Sequence, residues 1–167
     1  MGQEIVLVRK KKALPGITLV ELLLSLFIGV VVFGALLSLI NYTSTLSEIA
    51  RNKVNAMNAA RQKIEQFKSD VQINFDNAVT EYTNNTKGPV FTPVGVNGRG
   101  RITLNAVAGG GGDLFDVTVV ICWRQRNNRV IGEDSNLNGQ LNAGEDTNGN
   151  GALDSPCTLT TAIRRAN

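Results

Sequence analysis

Between residues 17 and 40 the chain carries 24 successive residues that are almost all apolar, with a single charge, Glu21. About 20 helical residues cross the hydrocarbon core of a bilayer. Within that core every backbone polar group needs an internal partner, which a helix supplies. The run therefore predicts a membrane-spanning helix over 17–40. An ordinary secretory signal has a shorter apolar core and a small-residue cleavage site after it. This run is longer and has no such site, which predicts a retained anchor with the rest of the chain outside the cytoplasm. A carboxylate inside such a run costs roughly 2.5–3.5 kcal/mol at its centre and less near its end, so Glu21 is a candidate functional residue. Just upstream stand Arg9, Lys10, Lys11 and Lys12, with Gly16 at the junction.

The formal charge of +3 comes from that upstream segment. Residues 1–16 hold those four cations and Glu4, and without them 13 basic and 13 acidic residues remain. The basic cluster holds the N-terminus in the cytoplasm by the positive-inside bias. The high isoelectric point is thus no sign of a nucleic-acid partner, and none is expected. With no histidine in the chain, histidine triads, histidine metal sites and a histidine general base are excluded. No other catalytic constellation is visible, so the chain reads as a non-enzyme.

Past the polar residues 41–44, apolar side chains recur at Leu46, Ile49, Ala56, Ala60, Ile64, Phe67, Val71 and Phe75, with Lys53 interrupting. Spacings of three and four predict a helix with one apolar stripe. A long helix over 17–76 is expected, apolar all round at first and amphipathic afterwards. Residues 84–89 break the pattern. Strands are expected over 101–108, 114–126 and 158–164, where apolar and β-branched residues alternate or run together. The expected fold class is α+β, a long helix packed on a small antiparallel sheet formed within residues 77–167.

The residues at the junction read Gly16, Ile17, Thr18, Leu19, Val20 and Glu21, between a short basic leader and a long apolar helix. This pattern resembles the class III signal and first helix of type IV pilins and type II secretion pseudopilins. The resemblance covers residues 9–45. Two positions depart from it: Ile17 stands where phenylalanine is commonest, and Pro15 where a basic or polar residue is usual. The resemblance implies a leader, residues 1–16, cleaved after Gly16 by a prepilin peptidase that also methylates the new N-terminus at Ile17. It further implies insertion in the inner membrane, with the C-terminal domain periplasmic. Assembly with other subunits into an extracellular or periplasmic filament then proceeds through the helix, with Glu21 paired to the Ile17 ammonium of a neighbour. The closing pair of strands resembles, more loosely, the end of minor pilins and minor pseudopilins. Ser38 stands about where many major pilins carry a proline. Both points imply a minor subunit.

Between the last two expected strands lies a tandem twelve-residue repeat within residues 132–155. The stretch from Asp134 to Glu145 fits the calcium-loop pattern D-x-[DN]-x-[DN]-G-x5-E. Asp134, Asn136 and Asn138 offer side-chain oxygens at alternate residues. Gly139 permits the turn, Gln140 offers its carbonyl, Leu141 turns inward, and Glu145 closes the shell with two oxygens. The second copy offers Asp146, Asn148, Asn150, the Ala152 carbonyl and Asp154, with Cys157 where a closing glutamate would stand. Calcium is the expected cofactor, with affinity in the extracellular range of about 10⁻⁴–10⁻³ M. Cys122 and Cys157, the only cysteines, flank this loop. In an oxidising compartment they are expected to form a disulfide, the alternative being two buried thiols. A reading from another class is a membrane-anchored calcium-dependent adhesin or binding module that never polymerises. Such an anchor needs neither Gly16 nor Glu21.

Overall fold

The computed structural model describes residues 16–84 and 88–165. The basic cluster at 9–12 and Pro15 lie outside the described residues. Helix α1 spans Leu19–Ile73. Contacts divide the chain into two units, one ending at Ser44 and one running over Thr45–Asn167.

In the first unit α1 has no packed face. Its large apolar side chains from Leu19 to Ile40 are at least 50% exposed. The helix is long and apolar enough to cross a membrane. Its polar residues are kept from competing with it: Ser25, Thr43 and Ser44 each donate a hydroxyl to the carbonyl one turn back, which satisfies them within the helix itself.

The second unit is α+β, as expected. Strand β1 is Val90–Phe91, β2 Gly98–Ala106, β3 Leu114–Arg124, β4 Val130–Ile131 and β5 Thr158–Arg164. All pairings are antiparallel. β1 pairs with β2 and β2 with β3, while the other edge of β3 is shared by β5 and then β4. Alternate residues of β3, namely Val117, Val119, Ile121 and Trp123, join Ile102, Ile163 and the α1 residues Ala56, Ala59, Ala60, Ile64 and Phe67 in one core. Three alanines on the helix leave room for the bulky β-branched and aromatic residues of the strand. On the opposite face Val120 and Cys122 form a smaller cluster with Leu153, and Leu137 and Leu141 pack against it.

The helix ends earlier than the sequence predicts. Asn74 is extended (φ −157°, ψ 107°), and its side-chain oxygen accepts the Asn77 N–H at 3.0 Å. This caps a second helix, α2, Phe75–Thr83, by satisfying one of the amide groups that a helix start leaves unpaired. Buried Tyr82 on α2 donates its hydroxyl to Asp70 at 2.9 Å and meets Phe67 edge-on at 4.9 Å.

Strand bounds differ for local reasons. β2 begins at Gly98 and not at Arg101, because Gly98 and Gly100 serve close approach. A Cβ at Gly98 would lie 2.1 Å from the Cys122 carbonyl oxygen, and one at Gly100 would lie 2.3 Å from the Phe91 ring. β3 stops at Arg124, where Gln125 N–H reaches the Arg129 carbonyl and Asn128 takes φ +64°, which makes a turn into β4.

Candidate functional site: the helix start and the tandem loop

In the first unit the described chain begins at Gly16, three residues before α1. Thr18 precedes the helix: its carbonyl accepts the Leu22 N–H at 3.1 Å and its hydroxyl accepts the Glu21 N–H at 3.2 Å. This is an N-cap contact. Glu21 lies in the first turn, where the N-terminal dipole favours a carboxylate. Ile17, adjacent to the junction, is 75% exposed.

In the second unit the tandem repeat forms two loops of the same construction. In the first, Asp134 is fully buried. Its two oxygens accept the Asn138 N–H at 2.9 Å and the Gly139 N–H at 2.7 Å. Asn136 and Asn138 accept the N–H groups two residues on, at 3.0 and 2.7 Å. In the second, Asp146 accepts from Gly149, Asn150 and Gly151, and Asn148 and Asn150 again accept two residues on. Gly139 and Gly151 sit at φ +77° and +71°, the left-handed conformation that favours glycine. A repeated oxygen spacing thus folds into a repeated curl.

Glu145 closes the first loop. One of its oxygens accepts the Ser135 hydroxyl at 2.6 Å and N–H at 3.0 Å and the Asn136 N–H at 3.3 Å, while the other accepts the Asn142 N–H at 2.9 Å. The Ser135 hydroxyl first, then the Asn142 N–H, hold its carboxyl below the usual range. The second loop is closed from the first. Glu133 accepts the Thr147 N–H at 3.0 Å and hydroxyl at 2.6 Å with one oxygen, and the Asp154 N–H at 3.1 Å with the other. Glu145 therefore clasps the loop that precedes it and Glu133 the loop that follows Glu145. Sequence reasoning missed Glu133. The signal was the repeat itself, since Glu133 and Glu145 occupy equivalent places twelve residues apart.

Cys157 does not stand in the second loop. It lies in the helix-facing core with Ile121 and Trp123, whereas Cys122 lies in the cluster on the other face. Both are free thiols. The expected Cys122–Cys157 disulfide is not present: Cys157 packs in the cluster on one face of the sheet and Cys122 in the cluster on the other. Burial pushes the Cys122 thiol up to about 11 and raises Cys157 as well. Cys122 is instead packed under the neck of the loops, where a Cβ on Gly132 would lie 2.4 Å from its sulfur.

Among the described residues no three Asp, Glu or Cys side chains gather at one point. Calcium also accepts amide and backbone oxygens. Each curl offers two such amides beside its aspartate: Asn136 and Asn138 around Asp134, and Asn148 and Asn150 around Asp146. Asp154 accepts both amide groups of Asn148 and Asn150 at 2.7 Å, so it already faces the interior of the second loop. The Leu141 anchor turns inward as expected. The Gln140 and Ala152 amides lie within the curls. Arg101 ties the first loop to β2 through the Gly139 carbonyl at 2.9 Å.

No family model, curated protein or solved structure matches this chain.

Proposed function

We propose that this chain is a minor subunit of a filament of the type IV pilus or type II secretion kind. One observation carries the reading: the residues 16–21 lead directly into a helix whose apolar side chains remain exposed on all sides through residue 40. In this reading the chain inserts in the inner membrane with the unit from Thr45 outside the cytoplasm. The prepilin peptidase cuts after Gly16 and methylates Ile17. The exposed apolar surface then moves from lipid to the helices of neighbouring subunits.

Glu21 has a physical task in that transfer. A buried charge persists only with a partner, and the Ile17 ammonium of an adjacent subunit is the partner created by cleavage. The tandem loop binds calcium through Asp134, Asn136, Asn138, Gln140 and Glu145, and through Asp146, Asn148, Asn150, Ala152 and Asp154, with Glu133 closing the second shell. Between Gly132 and Ser155 there are five carboxylates and no cation, so a divalent ion would relieve their mutual repulsion and stiffen the end of the sheet.

Replacing Glu21 separates insertion from assembly. Glu21→Ala is expected to insert at least as well as the parent, because a desolvation cost is removed, yet to be missing from sheared filaments. Normal incorporation of the variant would exclude the pairing with Ile17 and favour the non-polymerising, calcium-dependent adhesin.

A further inference from the structure

We infer that the cleft between the sheet and the tandem loop is a binding site for a carboxylated sugar, a pyranose ring that bears one carboxylate. The cleft lies wholly within the second unit and has a volume of about 440 Å³. That is in the range of small-molecule sites, about 300–1,000 Å³. Its floor is the face of β2 and β3 turned away from the core that packs on α1, where Arg101 stands opposite Val120 and Thr103 opposite Thr118. Its sides are Gln140 and Leu141 of the first loop and residues 151–153 of the second.

The sides are held in place by packing of their own. Leu153 is buried with Val120 and Cys122, and Leu141 packs against the same cluster. The first loop is seated on the strands at Gly139, whose missing side chain admits Val90 and whose carbonyl accepts Arg101 at 2.9 Å. That bond uses one N–H of a guanidinium that has others to donate. Among the described residues no carboxylate pairs with Arg101, and none lines the cleft. Asp116, on the same face, stands opposite Asn105 and four residues along β3 from Val120, so it lies at the end of the floor away from Arg101.

The lining selects the ligand. A partly buried guanidinium without a carboxylate partner can take one, both oxygens at a time. Beyond it the cleft offers the Thr103 and Thr118 hydroxyls and the Asn105 and Gln140 amides. Such groups donate and accept alike, which is what a ring of hydroxyl groups requires. The Thr103, Asn105 and Gln140 side chains bond to no other described residue, and Thr118 shares one bond with Thr160 at 3.1 Å. Val120, Leu141 and Leu153 supply an apolar patch for the C–H face of the ring. A peptide would find no main chain to pair with here, because β3 is bonded to β2 on one side and β5 on the other through Thr118 and Val120.

The test uses the full chain in a detergent without a sugar headgroup. Binding of methyl glucuronide and of methyl glucoside is followed by calorimetry and by saturation transfer to the ring protons. The glucuronide is expected to bind tighter by about tenfold to a hundredfold, the worth of a hydrogen bond to a charged group. Arg101→Gln should bring it down to the level of the glucoside and leave the glucoside unchanged, a split that a disturbed fold would not produce. Arg101→Lys should keep part of the preference. Thr103→Val with Asn105→Ala, at positions whose side chains bond to neither loop, should weaken both sugars alike. Equal binding of the two sugars, binding of neither, or binding indifferent to the changes at Arg101, Thr103 and Asn105 would overturn the inference. So would tighter binding of N-acetyl-dialanine, which would make the cleft a site for a peptide carboxylate.

Discussion

At the scale of single residues, the two cysteines and Glu145 carry the sharpest consequences. Both thiols are buried, in clusters on opposite faces of the sheet, and burial holds them protonated at neutral pH. A thiol reagent is therefore expected to find none in the native, unreduced protein and two after denaturation. Finding none after denaturation would restore the bridge. For Glu145 the folded-state carboxyl titrates below its unfolded value. Its contribution to stability is then complete above the unfolded pKa, about 4.3, and is lost as pH falls through the lower folded value. Hydrogen-exchange protection of the Ser135, Asn136 and Asn142 amides should hold at pH 5 and above and collapse on acidification below about 4. Ser135→Ala, which removes the largest cause of the shift, should move that collapse to higher pH. Protection independent of pH would contradict the clasp.

At the scale of elements, the tandem loop is the part of the chain where sequence and structure differ most usefully. The oxygen spacing, the turn glycines and the inward Leu141 were legible because each follows from local geometry. The closing group of the second loop was not, because Glu133 acts across the repeat and a linear pattern looks only forward. The same limit explains the other differences. Asn74 caps α2, but an asparagine in a run without proline or glycine is a weak break signal. Gly98 and Gly100 lie before the expected strand at 101–108, yet their missing side chains are what admit the Cys122 carbonyl and the Phe91 ring. The stripe from Ala56 to Phe67 was legible except for Ala59, since helical periodicity is imposed by the core it faces. If calcium binds, the full chain in detergent should melt higher in millimolar calcium than in chelator. A ligand specific for the folded form contributes about 2.7 kcal/mol per site at a hundredfold excess over its dissociation constant. Glu133→Gln should remove part of the shift, comparably to Asp146→Ala. Asp134→Ala with Glu145→Ala should remove the share of the first loop. A melting temperature unmoved by calcium would leave the repeat as two self-closed curls.

At the scale of the whole molecule, the chain consists of an apolar helix without a packed face and an α+β unit with a core of its own. The second is explained by its own contacts: a helix stripe on one face of β3 and a doubly curled loop against the other. The first has no packed face among the described residues and is long and apolar enough to cross a membrane. That exposed surface, joined to the residues at its start, carries the proposal that the helix is trimmed and then assembled. The mass of the chain extracted from membranes tests this most directly. The account predicts a protein that lacks residues 1–16 and begins at Ile17 with one methyl group on its nitrogen. A chain that retains its leader in cells with an active prepilin peptidase would contradict it.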